Sequence, residues 1–112
     1  MTCAESNNDL CVVFVTAPEA AVGRQIAHSL VESNLAACVN LVPGVTSIYR
    51  WQDEIQEDSE VLLVIKTRES RCADLAERVA QLHPYDVPEV LTLPVNGGSE
   101  TYLSWLRGET SS

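Results

Sequence analysis

The sequence predicts an α+β fold with the element order β-α-β-β-α-β and an added C-terminal helix. Three observations favour it. Apolar runs rich in β-branched residues recur along the 112 residues at the spacing of strands. Two segments with apolar residues at helical spacing lie after the first run and before the last one. Proline, glycine and asparagine stand at the boundaries, where these residues end or redirect an element.

The first strand and the first helix are predicted on either side of Thr16. Residues 10–15 form a continuous apolar run, as expected for a buried central strand. Thr16 and Glu19 have the spacing of a capping box, which places the start of the helix directly after the strand. The helix is expected to run to about Ser33, and Asn34 suits a left-handed helix terminator.

A long hairpin is predicted over residues 35–66. Its first strand extends from Leu35 to Trp51 with a kink at Pro43-Gly44, because proline cannot donate a hydrogen bond to a strand ladder. Residues 52–54 form the turn, and the apolar run 61–65 is expected to be buried on both faces or nearly so. Both strands exceed the length that two helices cover, so we expect a projecting apolar arm that pairs with neighbouring subunits.

The second half of the chain repeats the strand and helix pattern. A second helix opens at Thr67 or Ser70 and ends at His83, since the residue before a proline avoids helical geometry. The fourth strand covers 88–95, and Ser99 caps a short terminal helix. The order is a doubled split βαβ unit, the ferredoxin-like arrangement, with both helices on one face of an antiparallel sheet.

A single domain over residues 10–107 accounts for these elements, as expected for a chain of this length. Residues 1–9 are polar and contain structure-breaking asparagines, and they are predicted to be a disordered N-terminus. Residues 108–112 are predicted to be a frayed C-terminus.

Composition excludes several classes of partner. The formal net charge of −9 disfavours binding to nucleic acid, because an acidic surface repels phosphates. No apolar run is long enough to span a membrane, and the N-terminus has no secretory signal.

The four cysteines show no Cys-x-x-Cys spacing. Cys11, Cys38 and Cys72 suit small buried hydrophobes, and Cys3 lies in the tail. Unpaired thiols indicate a reducing cytoplasm.

Candidate chemistry centres on His83. The sequence has neither a glycine-rich phosphate loop nor a Gly-x-Ser-x-Gly motif, so no enzyme is predicted. His83 suits either a cation at a helix C-terminus or a ligand for a metal or small molecule. Glu60, an unusual charge at the start of an apolar strand, and Glu89 are its candidate partners, although Glu60 also suits a solvated strand end. His28 is expected to be exposed and incidental.

Several segments together resemble the CutA family of divalent-cation tolerance proteins. The matching segments are Thr16-Ala17-Pro18, Leu35-Ala36-Ala37-Cys38-Val39, Pro43-Gly44, Ser47-Ile48-Tyr49-Arg50-Trp51, Glu60, Ile65-Lys66-Thr67, His83-Pro84-Tyr85-Asp86-Val87-Pro88-Glu89, Leu93-Pro94-Val95 and Tyr102-Leu103-Ser104-Trp105. They cover the chain from about Cys11 to Trp105.

The resemblance implies a homotrimer with the architecture of PII signalling proteins, a role in divalent-cation tolerance, and copper binding. His83 matches the family's histidine before Pro-Tyr, and Glu60 and Lys66 match positions that line the cleft between subunits. Tyr85 and Glu89 are further candidates for that cleft.

Two departures from the family pattern weaken the expected metal site. Copper-binding members carry a cysteine where this chain has Val15, and some carry a second histidine where it has Leu82. A lone imidazole with carboxylates is expected to hold copper or another divalent cation only weakly. Three non-enzymatic functions therefore stay open: a trimeric metal-binding protein, a PII-like module that binds a small metabolite between subunits, and a structural trimer with a protein partner. Acylphosphatases share the fold, but no arginine-bearing anion loop precedes the first helix.

Overall fold

The computed structural model describes residues 9–111. The elements are β1 (Leu10–Ala17), α1 (Ala20–Glu32), β2 (Cys38–Trp51), β3 (Glu54–Arg68), a 3-10 turn (Glu69–Arg71), α2 (Cys72–Leu82), β4 (Val90–Pro94) and α3 (Glu100–Glu109). No helix in this part of the chain is long and apolar enough to cross a membrane.

The four strands form one antiparallel sheet in the order β2-β3-β1-β4, which confirms the predicted ferredoxin-like fold. The main core lies between this sheet and the two helices α1 and α2. Its fully buried side chains include Val13, Val15, Ile26, Leu30, Leu63, Ile65, Leu75 and Val79. Burial of these side chains is the main source of the domain's stability.

The opposite side of the sheet, which we call the open face, carries the alternate residues of the strands. Val12, Phe14, Leu62 and Val64 are half-buried there, and Leu91 and Leu93 are exposed. Helix α3 covers only the end around Leu10, through Leu103 and Leu106. The expectation that 61–65 is buried on both faces is therefore wrong within one chain, because both large helices cover the same face.

The predicted hairpin and its kink at Pro43-Gly44 are confirmed, but the turn has two residues rather than the predicted three, because Glu54 already belongs to β3. The β2–β3 register shifts between Val42 and Val45, and Gly44 has a positive φ of 76° at this bulge. The turn residues Gln52 and Asp53 have φ of 50° and 66°, the left-handed geometry of a two-residue hairpin turn. The hairpin extends the molecule to 50 × 27 × 23 Å.

Several element boundaries differ from the prediction. At Thr16 and Thr67 strand pairing outweighs a local helix signal: Thr67 pairs with Cys11 in the β1–β3 ladder, and α2 begins at Cys72 rather than at Thr67 or Ser70. Thr16 pairs with Leu62 in the β1–β3 ladder, so no capping box forms and α1 begins at Ala20 without a side-chain cap. Strand β2 begins at Cys38 rather than Leu35. Asn34, with φ of 61°, is the left-handed terminator that the sequence predicts.

The C-terminal segment is ordered further than predicted. Helix α3 continues to Glu109, and Thr110 is fully buried with its hydroxyl donating to the Leu106 carbonyl at 2.8 Å. Arg71 donates from Nε to the Thr110 carbonyl at 3.0 Å. Of the segment predicted to be disordered, residues 1–8 lie outside the described part of the chain, and Asp9 forms an ion pair with Arg107 at 3.0 Å.

Candidate functional site

A groove of about 820 Å³ lies where the base of the hairpin meets the end of β1 and the loop after α2. Its lining includes Thr16, Tyr49, Asp58, Glu60, Tyr85 and Glu89. The groove therefore combines carboxylates with aromatic rings, and it is the part of the described chain that brings most of the predicted site residues together.

His83 is buried, and its side chain links the end of β1 to the loop after α2. Its side chain is 7% exposed; Nε2 lies 2.7 Å from the Thr16 carbonyl oxygen, and Nδ1 accepts the Tyr85 backbone N–H at 3.1 Å. Because a backbone N–H only donates, Nδ1 is the acceptor and Nε2 carries the proton that it donates to Thr16. Both ring nitrogens are engaged, so the imidazole offers no free lone pair to a metal in this arrangement.

The His83 ring also contacts the Tyr85 ring, with 4.7 Å between the ring centroids. Its hydrogen bonds go to Thr16 and Tyr85, not to the last carbonyls of α2, so it does not act as a helix-end cation. The proline that follows it sets the extended geometry, with ψ of 138°, that ends the helix as predicted.

Glu60 is the most unusual charge in the groove. Its side chain is 7% exposed, and its Oε2 accepts a hydrogen bond from the Tyr85 hydroxyl at 3.3 Å. Within residues 9–111, no basic side chain forms an ion pair with it. Asp58 lies two residues earlier on the same face of β3 and accepts a hydrogen bond from the Tyr49 hydroxyl.

The two carboxylates perturb the tyrosines beside them. The hydrogen bond to Asp58 is the largest cause that raises the pKa of Tyr49, to about 12 from 10.0. Burial, followed by the charge of Glu60, raises the pKa of Tyr85. Both phenols therefore stay protonated, and remain hydrogen-bond donors, well into the alkaline range.

Alkaline titration tests this pairing. All three tyrosines of the chain have raised pKa values, so we expect little phenolate absorbance at about pH 10, where a free tyrosine is half ionised. The stabilising Tyr49–Asp58 bond is present below that pH and is lost as pH rises through the pKa of Tyr49, about 12. Asp58→Asn should return one tyrosine towards its ordinary pKa, and Glu57→Gln on the same strand should not. Identical titration curves for Asp58→Asn and the parent protein would contradict the pairing.

The remaining predicted residues divide between the groove and the open face. Glu89 and Tyr85 line the groove. Lys66 lies six residues from Glu60 on the same strand, a separation of roughly 20 Å, and its Nζ bonds the Asn40 side chain and lies 3.8 Å from Cys38 Sγ. Within one chain, Lys66 therefore does not reach Glu60.

The donor set does not fit a tight copper site within the described chain. No group of three or more histidine, cysteine, aspartate or glutamate side chains is arranged to hold a metal ion there. Val15 is fully buried in the main core and Leu82 packs against that core, so neither position adds a donor to the groove. Carboxylate oxygens are the donors that the groove offers.

Sequence reasoning missed two members of the site. Asp58 could have been found, since a residue two positions before Glu60 on a strand must share its face. Thr16 could not, because its contact with His83 joins residues 67 apart in the sequence.

Comparison with known proteins agrees with this architecture. The family model described as CutA1 divalent ion tolerance protein matches residues 11–109. The Thermus thermophilus divalent-cation tolerance protein CutA is 56% identical over 99 residues, which cover 88% of this chain and 96% of the relative. Arabidopsis thaliana chloroplastic protein CutA is 52% identical over 88% of this chain, which spans only 54% of that relative's length.

A solved structure gives the same result. The crystal structure of CutA1 from Oryza sativa superposes with a TM-score of 0.90 at 47% identity, covering 95% of this chain and 97% of the other. The family model, which matches most of the chain, and these relatives identify the same family. The chain belongs to the CutA1 divalent ion tolerance protein family.

Proposed function

We propose that the protein acts in tolerance to divalent cations as a non-enzymatic homotrimer that binds copper or another divalent cation weakly at Glu60. The names of the relatives and of the family supply the biological role. The main observation in favour of this binding site is the burial of Glu60. Its carboxylate is nine-tenths buried and has no basic partner in the described chain. A buried charge is costly unless it is paired, and a cation in the groove would pair it.

The donor chemistry determines how such a cation would bind. Asp58 and Glu89 line the same groove as Glu60, but the three carboxylates are not grouped closely enough to form one metal site within the described chain. Oxygen donors suit hard cations, and the absence of a free imidazole nitrogen at His83 removes the donor that favours copper. The proposed site is therefore weak, shows little preference for copper, and leaves most coordination positions to water.

The homotrimer is supported by apolar surface that one chain leaves uncovered. The open face exposes Leu91 and Leu93, at 57% and 41%, and the hairpin exposes Ile48 and Ile55, at 66% and 61%. Surface of this kind, on two sides of the same chain, favours burial against further copies. We also propose a cytoplasmic location, which the free thiols among the described cysteines support.

A titration of the chelator-treated protein with Cu²⁺ and Mn²⁺ tests the cation site. Glu60→Gln should lower the affinity for both ions by at least about tenfold, because it removes the buried charge. Glu57→Gln, an exposed change on the opposite face of β3, should leave the affinity unchanged. An unchanged affinity in Glu60→Gln would overturn the assignment.

The pH dependence separates carboxylate ligands from an imidazole ligand. Binding through an imidazole falls as pH drops through about 6.5, whereas binding through carboxylates persists to about pH 5. We expect the second pattern. Loss of affinity near pH 6.5 would instead place His83 among the ligands.

The second candidate is a PII-like module that binds a small metabolite in the same groove. The volume of about 820 Å³ favours it, since this is the size of small-molecule sites and far exceeds that of a metal ion. Such a ligand would survive chelator treatment. Its detection by native mass spectrometry, together with no cation binding, would support this candidate over the first.

A further inference from the structure

The groove beside Glu60 carries negative charge along its length. Among the described residues that line it, none is a lysine, an arginine or a histidine, and the carboxylates are Asp58, Glu60, Asp86 and Glu89. Within the described chain, no three of these side chains are grouped so that they could hold one metal ion. The charge is spread out instead, which favours a ligand whose own positive charges are spread as well.

The register of the hairpin explains the spacing of two of these carboxylates. Asp58 lies opposite Ser47 and Glu60 lies opposite Val45, and the two carboxylates share one face of β3. Residues two apart on a strand are separated by roughly 7 Å. Successive ammonium groups of an aliphatic polyamine, which a few methylene groups separate, have a similar spacing.

Aromatic rings stand beside the carboxylates. Tyr49, Trp51 and Tyr85 also line the groove and are between 38% and 46% exposed. The Tyr49 hydroxyl donates to Asp58. The Tyr85 hydroxyl donates to Glu60 at 3.3 Å. The face of an aromatic ring attracts a cation and packs against methylene groups, so rings and carboxylates together form a surface that suits an organic cation.

Glu60 offers an acceptor that the described chain does not use. Its Oε2 accepts the hydrogen bond from Tyr85, and no described residue donates to its Oε1. Every fully buried polar side-chain atom of the described residues has a hydrogen-bond partner, so Oε1 must be open to the groove that Glu60 lines. The side chain as a whole is only 7% exposed. A nearly buried carboxylate oxygen of this kind suits an ammonium group, which brings both charge and N–H donors.

We propose that the groove binds a linear aliphatic polyamine, in which ammonium groups alternate with short methylene chains. One ammonium group donates to Glu60 Oε1 and the next donates to Asp58, while the methylene chain between them packs against the aromatic rings. The polyamine site shares Glu60 with the proposed cation site, and in that respect it rests on the proposed function. The ligands differ, because the rings add affinity for an organic cation and give a metal ion no donor atom.

Calorimetric titration of the full-length, chelator-treated protein with spermidine tests the proposal, with choline and Mn²⁺ as comparison ligands. We expect spermidine to bind at least about tenfold more tightly than choline, which has one charge and no N–H donor. Equal affinities for the two would overturn the proposal. Binding of Mn²⁺ without spermidine would overturn it too and leave the proposed metal site intact. Binding of spermidine without Mn²⁺ would support the polyamine site and overturn the metal site.

Matched tryptophan variants separate the groove from diffuse attraction to an acidic chain. Trp51→Ala should weaken spermidine binding by at least about fivefold and leave Mn²⁺ binding unchanged. Trp105→Ala removes a ring of similar exposure, 44% against 46%, from α3 outside the groove, and should change neither. Trp51→Phe keeps a ring and should retain most of the spermidine affinity. The same spermidine affinity in Trp51→Ala and in the parent protein would overturn the proposal.

Discussion

Substituting Leu93 with aspartate is expected to convert the proposed trimer into folded monomers. Leu93 is 41% exposed on β4 and lies opposite Val12 on the open face, so the single chain accommodates a charge there. In the trimer, each copy would bury a carboxylate against apolar side chains, which is strongly unfavourable. We expect association to weaken by at least about a thousandfold. Sedimentation velocity across a range of protein concentrations measures the change.

The matched control is Val31→Asp. Val31 is also 41% exposed, but it lies on α1, in the helix layer away from the open face. This variant should sediment like the parent protein. Dissociation of both variants, or of neither, would mean that the open face is not the surface that associates.

Replacing His83 with alanine is expected to lower the free energy of unfolding by about 2–4 kcal/mol. The change removes the donor to the Thr16 carbonyl and the acceptor of the Tyr85 N–H, and it leaves a cavity at a side chain that is 7% exposed. Thr16 is itself buried, so its carbonyl cannot regain a full hydrogen bond from water. Urea unfolding at a fixed protein concentration measures the loss, since the proposed association would also contribute to stability.

Two further variants separate a positioning role of His83 from a ligand role. His28→Ala changes the exposed histidine and should shift stability by less than about 0.5 kcal/mol. His83→Gln keeps a donor that can reach Thr16, so it should recover part of the stability and bind cations as the parent protein does. Recovered stability together with abolished cation binding would identify the imidazole as a ligand.

Local features of the fold follow from local sequence. Asn34 takes the left-handed conformation that its short polar side chain tolerates, and the bulge at Pro43-Gly44 follows from the missing proline N–H. His83 ends α2 because a proline comes next. In each case, the physical cause lies within one or two residues of its effect.

The features that sequence could not predict depend on distant pairings. Thr16 has the local signature of a helix cap, yet its pairing with Leu62 keeps it in β1. The role of His83 in linking β1 to the loop after α2 depends in the same way on Thr16, which lies 67 residues away.

The projecting hairpin also has a consequence for a newly synthesised subunit. In the proposed trimer other copies would cover the arm, but a single chain presents Ile48, Trp51 and Ile55 on strands with unpaired edges, the kind of surface on which β-aggregation begins. Glu54 and Glu57 stand among these apolar residues and place charge along the same arm. They act as gatekeepers, because two arms that approach in an arbitrary register bring like charges together. The two glutamates thus oppose misassembly of single chains while the apolar arm is uncovered.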